Sequence, residues 1–211
     1  MTKIITFATS NQGKINWLER ALKIANVTEW SVTGEKLNLL EIQSNSLQEI
    51  SLSKARQAFA ILQKPVLVMD GGLYIEELNG FPGPFGSFMM DQMGVEPFAK
   101  LIGKFENRAC QFRNVVTFMT AEDSYQQFAD DSGDMFTMTH QIWPEAHPDQ
   151  WSDLWRIIIP SGIGYSRPLA SFSKEELYDY TEKRATKYSA ALADFVAYLQ
   201  KTNSSPNKIS A

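Results

Sequence analysis

Short apolar runs alternate with longer stretches of helical spacing along this chain of 211 residues. Lys3 to Ala8 predicts a first strand, and Thr9 to Lys14 a polar loop turning it into a helix that carries Ile15, Leu18, Leu22 and Ala25 on one stripe. Trp30 to Thr33 reads as a second strand. Ser46-Leu47-Gln48-Glu49 has the form of a capping box, opening a helix with Leu47, Ile50, Lys54, Ala58, Ile61 and Leu62. The run Pro65 to Met69 predicts a buried strand with Asp70 at its end and Gly71-Gly72 turning the chain behind it. Gly80 to Gly86 is too rich in Pro and Gly for a helix interior and predicts a fixed loop. A helix then runs from near Ser87 to Lys104, with a break at Gly94.

The second half is more strand-like at first. Arg108 to Thr120 predicts a long strand, with Tyr125 to Asp130 and Met135 to Ile142 as its partners and Asp130 to Asp134 as a solvated hairpin turn. Pro144 to Trp155 predicts a loop bearing Pro and Trp, followed by the buried run Ile157 to Ile159. Ser173 to Glu176 forms a second capping box, and Ala185 to Leu199 continues as an Ala-rich helix. Thr202 to Ala211 predicts a disordered polar tail. This order of elements implies one mixed α/β domain over residues 1–201, with no internal repeat and no linker.

Composition narrows the class. With 44% hydrophobic and 21% charged residues, fibrous and disordered classes are excluded. The single cysteine, Cys110, excludes an internal disulfide and a cysteine zinc cluster. The apolar start reaches Ser10-Asn11-Gln12 too soon for a signal peptide, and no run approaches a membrane span, so a cytoplasmic protein is expected. A net charge of -4 argues against a nucleic-acid polymer as partner, whereas a small anion needs only a local cluster of positive charge.

Four residues are the first chemical candidates. Asp70, beside two glycines that let a ligand approach, either faces a crevice or bonds its own backbone in a turn. Lys14, at a helix N-terminus that already favours anions, either meets a phosphate or is a solvated lysine behind an N-cap. Glu41 interrupts the apolar stretch Leu37 to Ile42 and is paired, metal-bound or turned to solvent. Lys54 beside its helix's apolar stripe snorkels to water or reaches a phosphate. His140 and His147 lack metal-ligand spacing.

Taken in order, Phe7 to Lys14, Leu40 to Gln43, Ile50 to Ala58, Pro65 to Phe85 and Lys183 to Leu192 resemble the inosine triphosphate pyrophosphatase family. Its members hydrolyse faulty purine nucleoside triphosphates to the monophosphate and pyrophosphate. The string Pro65 to Leu73, followed by Leu78 to Phe85, is the most specific part. The resemblance implies an elongated mixed sheet with flanking helices, two lobes with a central cleft, and a homodimer. It implies a magnesium ion held by Glu41 and Asp70, and catalysis by Asp70 with Lys14 and Lys54. The substrate contacts it implies are Thr9, Ser10, Asn11, Lys14, Lys54 and Gly71.

Three departures mark the chain. Met69 and Gly71 stand where the family commonly has an acidic residue and a Ser or Thr. The family's base-sandwiching loop is replaced around Ser152 to Arg156, leaving Trp151 or Trp155 to stack on a base. The family's Ser-His-Arg falls on Thr186-Lys187-Tyr188, so donors are expected from Lys183, Lys187 and Tyr188 instead. Drift after loss of catalysis is one explanation, which would leave a nucleotide-binding regulatory or dimer-partner protein. A changed base pocket on a retained triphosphate cradle is the other, and the intact cradle residues favour it.

Overall fold

The computed structural model describes residues 2–130, 134–187 and 191–203. Strand β1 (Lys3–Phe7) buries Ile5, Thr6 and Phe7 in succession, the signature of a strand covered on both faces. Helix α1 (Gln12–Ile24) starts where the Asn11 side chain accepts from Lys14 N, satisfying one of the orphan donors of the first turn. Strand β2 (Trp30–Gly34) pairs parallel to β1. Helix α2 (Leu47–Leu62) begins with Ser46 accepting from Glu49 N. Only that half of the expected box forms, because the Glu49 carboxylate takes the Ser44 hydroxyl instead.

Strand β3 (Val66–Ile75) departs from expectation. It runs straight through Asp70, Gly71 and Gly72, so Asp70 sits mid-strand and the glycines make no turn. The reason is pairing: β5 (Ala109–Ala121) lies antiparallel against the whole of β3, in register with all ten residues and bonded at alternate ones. The chain then forms β4 (Pro82–Gly83), α3 (Gly86–Met93) and α4 (Val95–Ile102), divided at Gly94, where φ is +75°. Strands β6 (Ser124–Ala129) and β7 (Asp134–Met138) both pair antiparallel to β5, as expected. They run in the same direction along one edge, so no hairpin links them. Asp130, expected in a solvated turn, instead accepts from Asn114 N and Nδ2 and from Ala191 N. Strand β8 (Ile158–Pro160) pairs with β7. Helices α5 (Lys174–Lys187) and α6 (Ala191–Asn203) close the described chain. The expected helix over Ala185 to Leu199 falls on the end of α5 and on α6, residues 188–190 lying outside the described residues, and α6 extends past Thr202. The rest of the expected tail lies outside the described residues.

The sheet is open and mixed, in the order β2-β1-β3-β5-β7-β8, with β6 beside β5 and β4 against β3. Strands β3 and β5 contribute to every hydrophobic cluster. One core gathers Phe7, Leu18, Leu67, Val116 and Phe195 under α1 and α6, while Val66, Val68 and Met119 pack under α2. The other gathers Ile75, Phe98, Cys110, Phe136, Trp155 and Leu177. Each large apolar side chain so buried contributes about 2 kcal/mol.

Candidate active site

Strand β1 pairs with β3 only at Val66 and Leu67. Between Leu67 and Leu73, where β4 takes over, that edge of β3 is therefore free of a strand, and the N-terminal end of α1 comes against it. Ala8 N donates to Leu67 O, and Lys14 Nζ donates to Met69 O at 3.0 Å. The period-two alternation of a strand then divides the residues. Val68 and Asp70 face α2, whereas Met69, Gly71 and Leu73 face a cavity also lined by Phe112 and Asn114.

On the α2 side, Lys54 Nζ donates to Asp70 Oδ1 at 2.6 Å and also ion-pairs with Glu41. Glu41 is carried on the segment before α2, whose backbone is held by Gln57: its Oε1 accepts from Leu40 N and its Nε2 donates to Leu40 O, each at 2.8 Å. Burial works to lower the Lys54 pKa, but the charge and hydrogen bonds of Asp70 and Glu41 outweigh it and the group is held above its ordinary value. Lys14 is the opposite case. Burial pushes its pKa down and the neighbouring Lys54 adds to that, against the pull of Asp70 and Glu41.

The two lysines and two carboxylates thus converge. Asp70 Oδ2 is buried and has no hydrogen-bond partner among the described residues. A buried carboxylate oxygen left open next to a second carboxylate fits a hard divalent cation such as magnesium, which commonly takes only one or two protein carboxylates and keeps several waters. Among the described residues no group of three or more His, Cys, Asp or Glu could hold a metal.

On the other face lies a cavity of about 310 Å³, lined among others by Asn11, Lys14, Gly71, Asn114, Trp151 and Asp153. Trp151 is half-buried and meets Phe112 edge-to-face, with centroids 5.1 Å apart. Its loop is clipped to α1. Asn16 Nδ2 and Arg20 Nη2 each donate to Asp149 at 2.8 Å, and Asn11 Nδ2 donates to Trp151 O at 3.2 Å. Gly13 makes that approach possible, because a Cβ there would stand 2.6 Å from Asp149 O. His147 Nδ1 accepts from Asp149 N within the loop. Burial lowers the His147 pKa and Arg20 lowers it further, against Asp149.

The expected site residues are therefore not all together. Asp70, Lys14, Lys54 and Glu41 meet, and Asn11, Gly71 and Trp151 line the adjoining cavity. Thr9 and Ser10 lie in the loop before α1, with Thr9 Oγ1 accepting from Asn11 N. Trp155 does not reach the cavity: it is 5% exposed and belongs to the second core. Lys183 does not reach it either, being ion-paired with Asp179 one turn earlier at 2.7 Å. Lys187 ends α5, and Tyr188 lies outside the described residues. Sequence reasoning missed Asn114, Phe112 and Trp17. The signal for Asn114 was an amide interrupting an otherwise Val- and Phe-rich strand.

Fold and site together define a mixed α/β protein in which two lysines and two carboxylates converge beside an aromatic-lined cavity. Residues 5–135 match the model of the Ham1 family, and the chain belongs to that family. It is 36% identical over 114 residues to a dITP/XTP pyrophosphatase of Hyperthermus butylicus, covering 54% of this chain and 58% of that protein. A dITP/XTP pyrophosphatase of Methanopyrus kandleri is 39% identical over 116 residues, covering 54% and 59%. The chain thus matches somewhat under three fifths of the length of these relatives. Among solved structures, the Ham1 protein of Staphylococcus aureus superposes with a TM-score of 0.66 at 21% identity, covering 94% of this chain and 99% of that one. That likeness establishes the fold.

Proposed function

We propose that this protein hydrolyses a nucleoside triphosphate to the monophosphate and pyrophosphate, with magnesium as cofactor and with a base preference changed from inosine or xanthine. The observation that carries the reading is the convergence of Lys14, Lys54, Glu41 and Asp70 at the free edge of β3, with Asp70 Oδ2 left open. The activity named for the similar dITP/XTP pyrophosphatases agrees with it.

Glu41 and Asp70 would hold the magnesium ion, which neutralises charge on the polyphosphate when bound. Lys14 and Lys54 would bind phosphate oxygens, Lys14 as a charge fixed at the strand edge and Lys54 as a bridge already oriented by two carboxylates. Asp70, with Oδ2 open to the ion, would also help to orient the attacking water for deprotonation. Trp151 and Phe112 would shield the base from solvent. A homodimer in the cytoplasm goes with this reading, and sedimentation of the purified chain checks the first part.

Pyrophosphate release from a panel of nucleoside triphosphates, with and without magnesium, tests the proposal. Turnover is expected on at least one member, and Asp70→Asn should lower it about 100-fold or more while leaving nucleotide binding measurable. A second reading, a nucleotide-binding partner protein without catalysis, rests on Met69 in place of an acid. Tight binding with no turnover across the whole panel would decide for it.

A further inference from the structure

The cavity beside β3 has a polarity that its apolar walls conceal. Asn114 is 7% exposed and lies directly opposite Gly71 in the β3-β5 ladder. Its amide orientation is fixed by chemistry: Nδ2 donates to Asp130 Oδ2 at 2.6 Å, and the reversed amide would set two oxygens against each other. The same carboxylate oxygen accepts from Asn114 N, and the other accepts from Ala191 N, so the anchor itself is held from two sides. Oδ1 is thereby turned toward Gly71, where an added Cβ would stand only 2.7 Å from it. Among the described residues it accepts no hydrogen bond. An amide oxygen that faces a cavity with no protein donor is open to one supplied by a ligand.

The other polar groups of the cavity are mixed. Asp91 and Asp153 contribute acceptor-only carboxylates, Ser87, Ser152, Trp17 and Trp151 carry donors, and among the described residues the one cationic side chain in the lining is Lys14, held to Met69 O. Selectivity beside Gly71 is therefore a local matter of Asn114 Oδ1. A carbonyl oxygen of a base placed beside Asn114 Oδ1 would bring two lone pairs together, whereas an amino group would satisfy both partners.

We propose that the cavity selects a nucleobase bearing an exocyclic amino group, which donates to Asn114 Oδ1, over the same base bearing a carbonyl oxygen at that position. This assignment rests on the reading of the protein as a nucleoside triphosphate hydrolase and adds the class of base. Asn114 is its specificity determinant.

Matched pairs bracket the group: ATP and ITP differ by amino against oxo at C6 and by a bare against a protonated N1, as CTP and UTP do at C4 and N3, and the Asn114 variant assigns the difference to Oδ1. Equilibrium binding and kcat/KM are measured for all four with magnesium. In at least one pair the amino member should be favoured about 10- to 100-fold. Asn114→Ser, checked for folding by circular dichroism, should bring that ratio to near unity by removing Oδ1 while keeping the backbone donor to Asp130. Preference for the oxo member in both pairs, or a ratio unchanged in Asn114→Ser, overturns the assignment while leaving hydrolysis standing. So does a loss on changing ribose to 2′-deoxyribose that ignores the base, which would give Oδ1 to the sugar. Absence of both binding and turnover on all four removes the hydrolase reading and the base assignment together.

Discussion

The two faces of β3 solve opposite problems with residues one position apart. On the α2 face, Lys54, Asp70 and Glu41 satisfy one another almost fully, and one carboxylate oxygen remains. On the cavity face, Met69, Gly71 and Leu73 offer little polarity of their own, and hydrogen-bonding capacity arrives from Asn114 on the next strand. The first face is a charge balance in which every partner restrains the others. The second is a hydrophobic hollow whose few polar groups are individually held and individually replaceable. Changes to the first face should therefore cost both stability and activity, while changes to the second should alter selectivity with the fold intact.

The sharpest way to break this contrast is Lys54→Met. Removing the bridge leaves Asp70 and Glu41 facing each other with only the charge of Lys14 beside them, where Lys54 is 18% and Asp70 12% exposed at the side chain. A loss of about 1–3 kcal/mol in urea unfolding is expected at pH 7, together with loss of turnover. A stable, active variant would show that the two faces are not so different.

Gly13→Ala comes next. Its Cβ would press on the backbone of Asp149 and Gln150, which cannot swing aside as a side chain would. About 1–2 kcal/mol of destabilisation is expected. KM should rise more than kcat falls, because Trp151 moves while the carboxylates stay in place.

The smallest effect concerns acid. His147 must be unprotonated to accept from Asp149 N, and its pKa lies below the ordinary 6.5. Below 6.5 the unfolded chain takes up the proton before the folded one does, so stability falls as pH drops through that window and is complete above it. Tryptophan fluorescence should report loosening of the loop in mildly acidic solution, and His147→Ala should remove that pH dependence.

How much of this was legible in the sequence differs between the same two faces. Asp70, Lys14, Lys54 and Glu41 stood in runs whose local rules are strong: a buried strand, a helix start and a capped helix. Even there the pattern misplaced the end of β3, since two glycines after an aspartate read as a turn until β5 holds them in a ladder. The cavity was harder. Trp151 and Trp155 are four residues apart in one loop, and only packing decides that Trp151 lines the hollow while Trp155 goes into the core. Lys183 was equally undecidable, because its ion pair with Asp179 follows from helix spacing but its distance from the cleft does not. Asn114 needed the register of β3 and β5, which no local rule supplies.

The clip between α1 and the Trp151 loop joins chain segments 140 residues apart. That loop is therefore not an interchangeable module. Transplanted into a related scaffold, it would have to travel with Gly13, Asn16 and Arg20, or arrive without the footing that sets the aromatic ring at its angle. Any inherited change on either side must be answered on the other.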